Sequence, residues 1–237
     1  MQRLLGHMRR CIDDYSMIAE GDKIAVGVSG GKDSLMLVCL MKQLQRFYPK
    51  RFELGALTLD MGLGMDFSEV EKLCAELEVP YEIIRTDIYD IVFNVRKEQN
   101  PCSLCAKMRK GALNGAMKER GYNKMALGHH FDDAVETMLM SLVFEGRLGS
   151  FTPVTYLSRM DVTQIRPMLY IRESEIIAQA AELGLPVVKN TCPADGYTRR
   201  QEIKELVAEL EKKYPDLKQK IFGAMQRYPL RGWEANI

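Results

Sequence analysis

The sequence predicts an α/β protein built on a parallel sheet with helices on both faces. Three observations carry this. Short apolar runs alternate with segments of helical periodicity through most of the 237 residues, the order of a parallel sheet whose crossovers are helices. The runs are short and largely continuous, as strands buried on both faces should be. The chemically informative residues fall directly after these runs, where ligands sit in such sheets.

Each element follows from its own residues. Leu4, Leu5, Met8, Ile12, Tyr15 and Ile18 recur at helical spacing and open the chain with an amphipathic helix. Ile24–Val28 reads as a buried strand entering the tight loop Ser29-Gly30-Gly31, and Leu35–Phe47 as the helix that follows. Phe52–Leu59 is a second strand ending at Asp60, Glu69–Leu77 a helix, and Tyr81–Arg85 a third strand after Pro80. Ser103–Lys118 is helical, Lys124–Leu127 a fourth strand ending at Gly128, and Asp132–Phe144 helical again. Val162–Ile165 is a fifth strand before Arg166-Pro167, followed by a helix from Glu173 to Leu183. Glu202–Lys213 and Leu217–Arg227 are two terminal helices outside the alternation. The expected organisation is a helix over 1–20, a main body over 21–195 and a helical extension over 196–237.

Composition excludes several classes. Apolar residues at 46% and charged residues at 27% are those of a globular chain, not a disordered one. Lys plus Arg number 33 against 32 Asp plus Glu, a net charge of +1. That removes overall charge as an argument for nucleic-acid binding and leaves only a local patch. Basic residues do cluster: Lys107, Arg109, Lys110, Lys118 and Arg120 stand against Glu119 alone, and nine face five acids between 196 and 231. Solvated helix faces with i,i+4 pairs account for the same pattern equally well. No apolar run is long enough to span a membrane. Arg9, Arg10, Asp13, Asp14 and Glu20 interrupt any secretory core, so the expected location is the cytoplasm.

Ser29-Gly30-Gly31-Lys32-Asp33-Ser34 joins a strand to a helix. Adjacent glycines allow a sharp bend and close approach to a ligand, and the helix N-terminus aims amides and dipole at an anion. The spacing fits neither a Walker loop nor a dinucleotide fingerprint. Gly128-His129-His130-Phe131-Asp132-Asp133 follows the fourth strand, with two of the three histidines and a carboxylate pair at a helix start. Such acids either cap the helix or hold magnesium on a nucleotide. Among six cysteines, Cys11, Cys39 and Cys74 lie in apolar patterns and read as core. Cys102 and Cys105 lie in Pro101-Cys102-Ser103-Leu104-Cys105, before a helix, and Cys192 in a later loop. Zinc, a redox dithiol, an iron–sulfur cluster with one open iron, and no metal at all remain open on the residues alone.

These strings resemble a known family. Ser29–Ser34 is similar to the SGGxDS signature of the PP-loop ATP pyrophosphatases, and Gly128–Asp133 to the GHHxDD segment of their sulfur-inserting branch. Cys102, Cys105 and Cys192, with Arg109-Lys110-Gly111 and Arg166-Pro167, most resemble the tRNA 2-thiocytidine synthetase (TtcA-like) family, over roughly residues 1–206. The resemblance implies an adenine nucleotide α-hydrolase-like, Rossmann-like sheet, with an ATP-binding catalytic domain over 21–195. It also implies a tRNA sulfurtransferase that splits ATP to AMP and pyrophosphate. The expected ATP-binding set is Ser29, Gly30, Gly31, Lys32, Asp33, Ser34, Asp60, Gly128, His129 and Arg166. Asp133 and Arg109 are the expected catalytic residues. Cys102, Cys105 and Cys192 would hold a [4Fe-4S] cluster and Asp132 magnesium. Expected partners are tRNA, a sulfur donor and a second copy of the chain. The 2-thiouridine relatives carry additional zinc-binding cysteine pairs that are missing among the six cysteines here. Pro193-Ala194-Asp195 follows Cys192 where 2-thiocytidine synthetases often have a further cysteine. The rival readings are the same chemistry on another base or a small molecule, and a noncatalytic nucleotide-binding module with structural zinc.

Overall fold

A computed structural model describes residues 1–96, 101–189, 191–192, 199–228 and 230–234. Its strands are β1 Asp22–Val28, β2 Phe52–Asp60, β3 Tyr81–Arg85, β4 Lys124–Ala126, β5 Val154–Leu157 and β6 Val162–Ile165. They form one sheet in the order β3-β2-β1-β4-β6-β5. Val26 of β1 sits opposite Ala56 of β2 and Ala126 of β4, all parallel, and Ala126 opposite Ile165 of β6. Strand order reverses between β1 and β4, so the loops after these two strands open onto one crevice.

The sheet departs from the expected all-parallel form at one edge. β5 runs antiparallel to β6, with Leu157 opposite Val162. It is short, follows Pro153 and leaves Tyr156 60% exposed, so it lacks the apolar run that marks the inner strands. A π-helical turn over Asp90–Arg96 was also unannounced by any periodicity.

The helices are α1 Gln2–Asp14, α2 Lys32–Gln45, α3 Ser68–Glu76, α4 Pro101–Glu119, α5 Phe131–Glu145, α6 Glu173–Glu182, α7 Arg199–Lys213 and α8 Leu217–Arg227. α2 is buried on all sides from Ser34 to Met41, which is why its sequence shows no polar face. The outer segments share the same core: Met8 and Ile12 of α1, Phe222 and Met225 of α8, and Trp233 join the cluster under the sheet. Trp233 is fully buried, donates Nε1–H to the Phe151 carbonyl at 3.0 Å and meets Tyr15 and Phe222 edge-on. The described residues over 1–20, 199–228 and 230–234 are therefore packed layers of the body, because each amphipathic helix must bury its stripe against something. The boundary expected between 195 and 196 lies outside the described residues.

Cys11, Cys39 and Cys74 are buried as expected. Desolvation pushes the Cys39 and Cys74 thiols up to about 11 and Cys11 higher still. They stay protonated and behave as small apolar side chains.

Candidate active site

The loop after β1 is organised by its two serines. Ser34 Oγ accepts the Ser29 N–H at 3.2 Å and donates to the Gly31 carbonyl at 2.9 Å, while the Gly31 N–H donates to Ser29 Oγ at 3.3 Å. Gly30 has φ +83°, the left-handed region that favours glycine. Its carbonyl accepts the Val188 N–H at 2.9 Å, so the strap after α6 lies across the loop. Gly31 ends the bend in extended backbone and starts α2, whose amides then face the crevice. Lys32 Nζ lies 3.1 Å from both Asp33 Oδ2 and Glu173 Oε1. Burial opposes the Lys32 charge, but Asp33 and Glu173 raise its pKa overall. Burial likewise opposes the Glu173 charge, and Lys204 and Lys32 outweigh it, holding that carboxylate at about 2.

Gly128 lies two residues after β4, where its neighbour is backbone. A Cβ there would lie 3.1 Å from Asp33 C and from Ser34 N. Among the described residues its role is to let the two loops approach; a side chain would push α2 away from the crevice. His130 caps α5: its N–H donates to Asp133 Oδ2 at 3.0 Å and its Nδ1 accepts the Asp133 N–H at 3.4 Å. The buried imidazole also places Nε2 3.4 Å from Asp133 Oδ2 and 3.8 Å from Asp33 Oδ1. Asp33 and Asp133 thus flank one ring, and Asp33 Oδ1 is buried with no hydrogen-bond partner.

Asp132 and Asp133 divide their work. Asp132 Oδ2 accepts the Glu173 N–H at 2.7 Å, and Oδ1 pairs with Lys218 Nζ at 2.8 Å. Both oxygens of Asp132, the residue expected to bind magnesium, are engaged in holding α6 and α8. Asp133 faces the crevice and is met by Arg200 of α7, 3.2 Å from Oδ1. The same guanidinium reaches Glu136 Oε2 at 3.4 Å and Thr137 Oγ1 at 3.2 Å. Burial, then repulsion from Asp133, raises the Glu136 pKa against the pull of Arg200.

Buried Arg166 and half-buried His129 form one unit. Arg166 donates Nε–H to His129 Nδ1 at 3.2 Å and Nη1–H to the Thr152 carbonyl at 2.6 Å, with its guanidinium over the Phe151 ring. His129 stacks on Phe151 at 4.7 Å. Burial, then the Arg166 charge, holds His129 down at about 4, so it is a neutral acceptor. Burial alone lowers Arg166 to about 10. The pair ties the end of β6 to the approach of β5. Asp60 ends β2, with Oδ1 accepting the Gly62 N–H at 2.9 Å.

α4 starts at Pro101, two residues earlier than expected, so Cys102 joins Cys105 within its first two turns and the two share one helix face. Cys102 is exposed and Cys105 and Cys192 half-buried. Cys105 lies in the electrostatic reach of Cys192 and Cys102: burial raises its thiol, Arg109 one turn further on opposes this, and the other two cysteines add to the rise. As placed, no three His, Cys, Asp or Glu side chains among the described residues converge tightly enough to grip a metal. The donor set is nonetheless three thiols at one end of the sheet, the chemistry of an iron–sulfur site. Lys107, Arg109 and Lys110 are exposed around them, because the first half of α4 has little buried surface.

Sequence reasoning missed Glu173, Arg200, Lys218, Val188, Phe151 and Met61. All but Met61, which follows Asp60, reach the site from a distant segment, and only Arg200 and Lys218 carried a signal, as part of the basic run after Cys192.

A PP-loop domain model matches residues 4–210. This chain belongs to the PP-loop family. The tRNA-cytidine(32) 2-sulfurtransferases of Pelobacter propionicus and Geobacter sulfurreducens are each 38% identical to it, over 94% and 91% of this chain and 85% and 86% of their own. The resemblance to 2-thiocytidine synthetases therefore holds across nearly the whole chain. The U34-tRNA thiolase NcsA from Methanococcus maripaludis, solved with its [4Fe-4S] cluster, superposes with a TM-score of 0.75 at 27% identity, over 91% of this chain and 76% of that one. An NH3-dependent NAD synthetase from Campylobacter jejuni, at 21% identity and a TM-score of 0.52, shares the fold. In PP-loop terms the loop after β1 is the signature loop, and the sheet and crevice are those expected of the family.

Proposed function

We propose that this chain is an ATP-dependent tRNA sulfurtransferase that adenylates the C2 oxygen of an anticodon-loop cytidine and replaces it with sulfur. The observation that carries the reading is the loop after β2. It starts at Asp60 beside the nucleotide crevice, touches Cys105 through Met61 and meets Thr191, next to Cys192, through the Leu63 carbonyl. The thiols are thus coupled to the edge of the ATP crevice. The names of the 38%-identical relatives support the same substrate.

The residues divide the reaction between them. Amides of Ser29–Ser34 at the α2 N-terminus hold the pyrophosphate, the positive dipole end stabilising it as it leaves. Lys32 adds charge there once a phosphate competes with Asp33 and Glu173. The C2 oxygen attacks the α-phosphorus, pyrophosphate departs, and a carbonyl oxygen becomes an AMP leaving group. Magnesium fits Asp33, whose Oδ1 has no partner, better than Asp132. Asp133 takes the proton-transfer or cation-positioning role, presented by His130 and Arg200. Arg109 balances thiolate charge beside Cys105, while Arg166 and His129 keep the crevice wall in place. Cys102, Cys105 and Cys192 would hold a [4Fe-4S] cluster, which would supply an iron without a cysteine ligand for sulfur from a donor. Among the described residues no helix is long and apolar enough to cross a membrane. A homodimer stays within the proposal.

The direct test incubates purified, anaerobically prepared protein with ATP, a sulfide source and unmodified tRNA. Nucleoside mass spectrometry should show 2-thiocytidine, and the nucleotide products should be AMP and pyrophosphate. ADP and phosphate would overturn the reading. Asp33→Asn should slow pyrophosphate release at least tenfold, the loss of about 1.4 kcal/mol of transition-state stabilisation.

The exposed Lys107, Arg109 and Lys110 make tRNA binding a phosphate-led event. For about four to six phosphate contacts, affinity should fall roughly 100-fold or more between about 50 and 200 mM salt, as condensed counterions are no longer released to advantage. Lys107→Glu with Lys110→Glu should impair tRNA binding and spare ATP binding. A tRNA affinity indifferent to salt and no better than for unrelated RNA would favour a small-molecule substrate.

A further inference from the structure

The loop after β2 lies between the two arms of the cysteine triad. Met61 Sδ is 3.8 Å from Cys105 Sγ. Two residues on, the Leu63 carbonyl accepts Thr191 Oγ1–H at 3.1 Å, directly before Cys192. The Met61 backbone is fixed rather than free: its carbonyl accepts the Tyr89 N–H at 3.1 Å, and the preceding Asp60 carbonyl accepts the Thr86 N–H and Oγ1–H, each at 2.9 Å. Its side chain is half-buried and outside the described core. A methionine that fills no core gap and rests sulfur to sulfur on a thiol is poorly explained by packing alone. Chemically it is a soft, neutral, weakly binding donor, suited to iron and to sulfur-rich sites.

We propose that Met61 is the fourth sulfur of the cluster pocket, a weak and displaceable donor to the iron that Cys102, Cys105 and Cys192 leave without a thiolate. The inference rests on the cluster reading of the triad. A neutral thioether holds the site against water yet yields to an anionic sulfur ligand. That exchange moves no electrons: the thioether leaves with its lone pair, and the entering sulfur brings its own.

The test compares wild-type protein with Met61→Leu, which keeps volume without sulfur, and Met61→Cys, which supplies a strong ligand. Iron and labile sulfide are quantified after anaerobic reconstitution. The reduced clusters are then titrated with cyanide and followed by electron paramagnetic resonance. Met61→Leu should bind cyanide about tenfold more tightly than wild type and Met61→Cys at least about tenfold more weakly, with shifted spectra in both. If Met61→Leu loses iron that Met61→Cys retains, a sulfur at this position is required and the proposal stands. Equal cyanide affinity and identical spectra in iron-loaded wild type and Met61→Leu would reduce Met61 to packing and overturn it. A wild-type protein that takes up no iron would instead overturn the cluster reading, and this inference with it.

Discussion

Cys105→Ala should strip the protein of iron, abolish broad visible absorption and eliminate 2-thiocytidine formation, while ATP still binds. Three thiolates are the minimum that holds a four-iron cluster with one iron free of thiolate, so loss of any one leaves two irons without a thiolate. Cys105 is the member best placed to show this. It is half-buried, lies within reach of both partners and has Arg109 one turn along α4 to favour its thiolate. Cys102→Ala and Cys192→Ala should behave alike. The control comes from two of the buried cysteines: Cys39→Ala and Cys74→Ala should keep full iron at a packing cost of roughly 1 kcal/mol. Full iron loading in Cys105→Ala, or iron loss in Cys74→Ala with the fold intact, would refute the division of the six cysteines. ATP binding should survive because the loop Ser29–Ser34 is held by its own serines and by Val188, with none of the three cysteines among those partners.

How much of this was legible in sequence depended on whether a residue acts within its own segment. The inner strands and α2 were legible because burial on both faces leaves continuous apolar runs, as in Leu35–Met41. Ser29–Ser34 was legible because a strand-to-helix turn with paired glycines has few physical uses. β5 was not, since a four-residue edge strand with an exposed Tyr156 needs no apolar run. The placement of Cys102 on α4 was missed because the helix starts two residues before the expected Ser103, at Pro101, and proline is well accepted in a helix's first turn. The double aspartate shows the sharper limit. Asp132 and Asp133 are equivalent as letters, and only the fold shows that Lys218 and the Glu173 N–H occupy the first while Arg200 meets the second. Arg166, expected at nucleotide, also bonds His129 and the Thr152 carbonyl. These partners lie far apart in sequence, and no local pattern encodes them.

Gly30→Ala should reduce pyrophosphate release by roughly 100-fold or more, since a misplacement of about 1 Å in a positioning element costs that much. Two separate strains meet at this one atom. At φ +83° a side chain costs about 1–2 kcal/mol by backbone sterics alone. The new Cβ would also stand 2.8 Å from Val188 Cβ and 3.0 Å from its Cγ2, closer than such atoms approach. Val188 cannot simply turn away, because its Cβ is fixed by the backbone and its N–H is bonded to the Gly30 carbonyl. The loop or the strap must shift, and the loop's amides lose their aim at the pyrophosphate. Adding Val188→Ala removes Cγ2 but not Cβ or the dihedral strain. The double variant should therefore recover only part of the loss, about tenfold, while Val188→Ala alone stays near wild type. Comparable melting temperatures across the set would assign the loss to the loop rather than to unfolding. Wild-type pyrophosphate release from Gly30→Ala would show that the loop tolerates displacement, and would remove the signature loop from the centre of the mechanism.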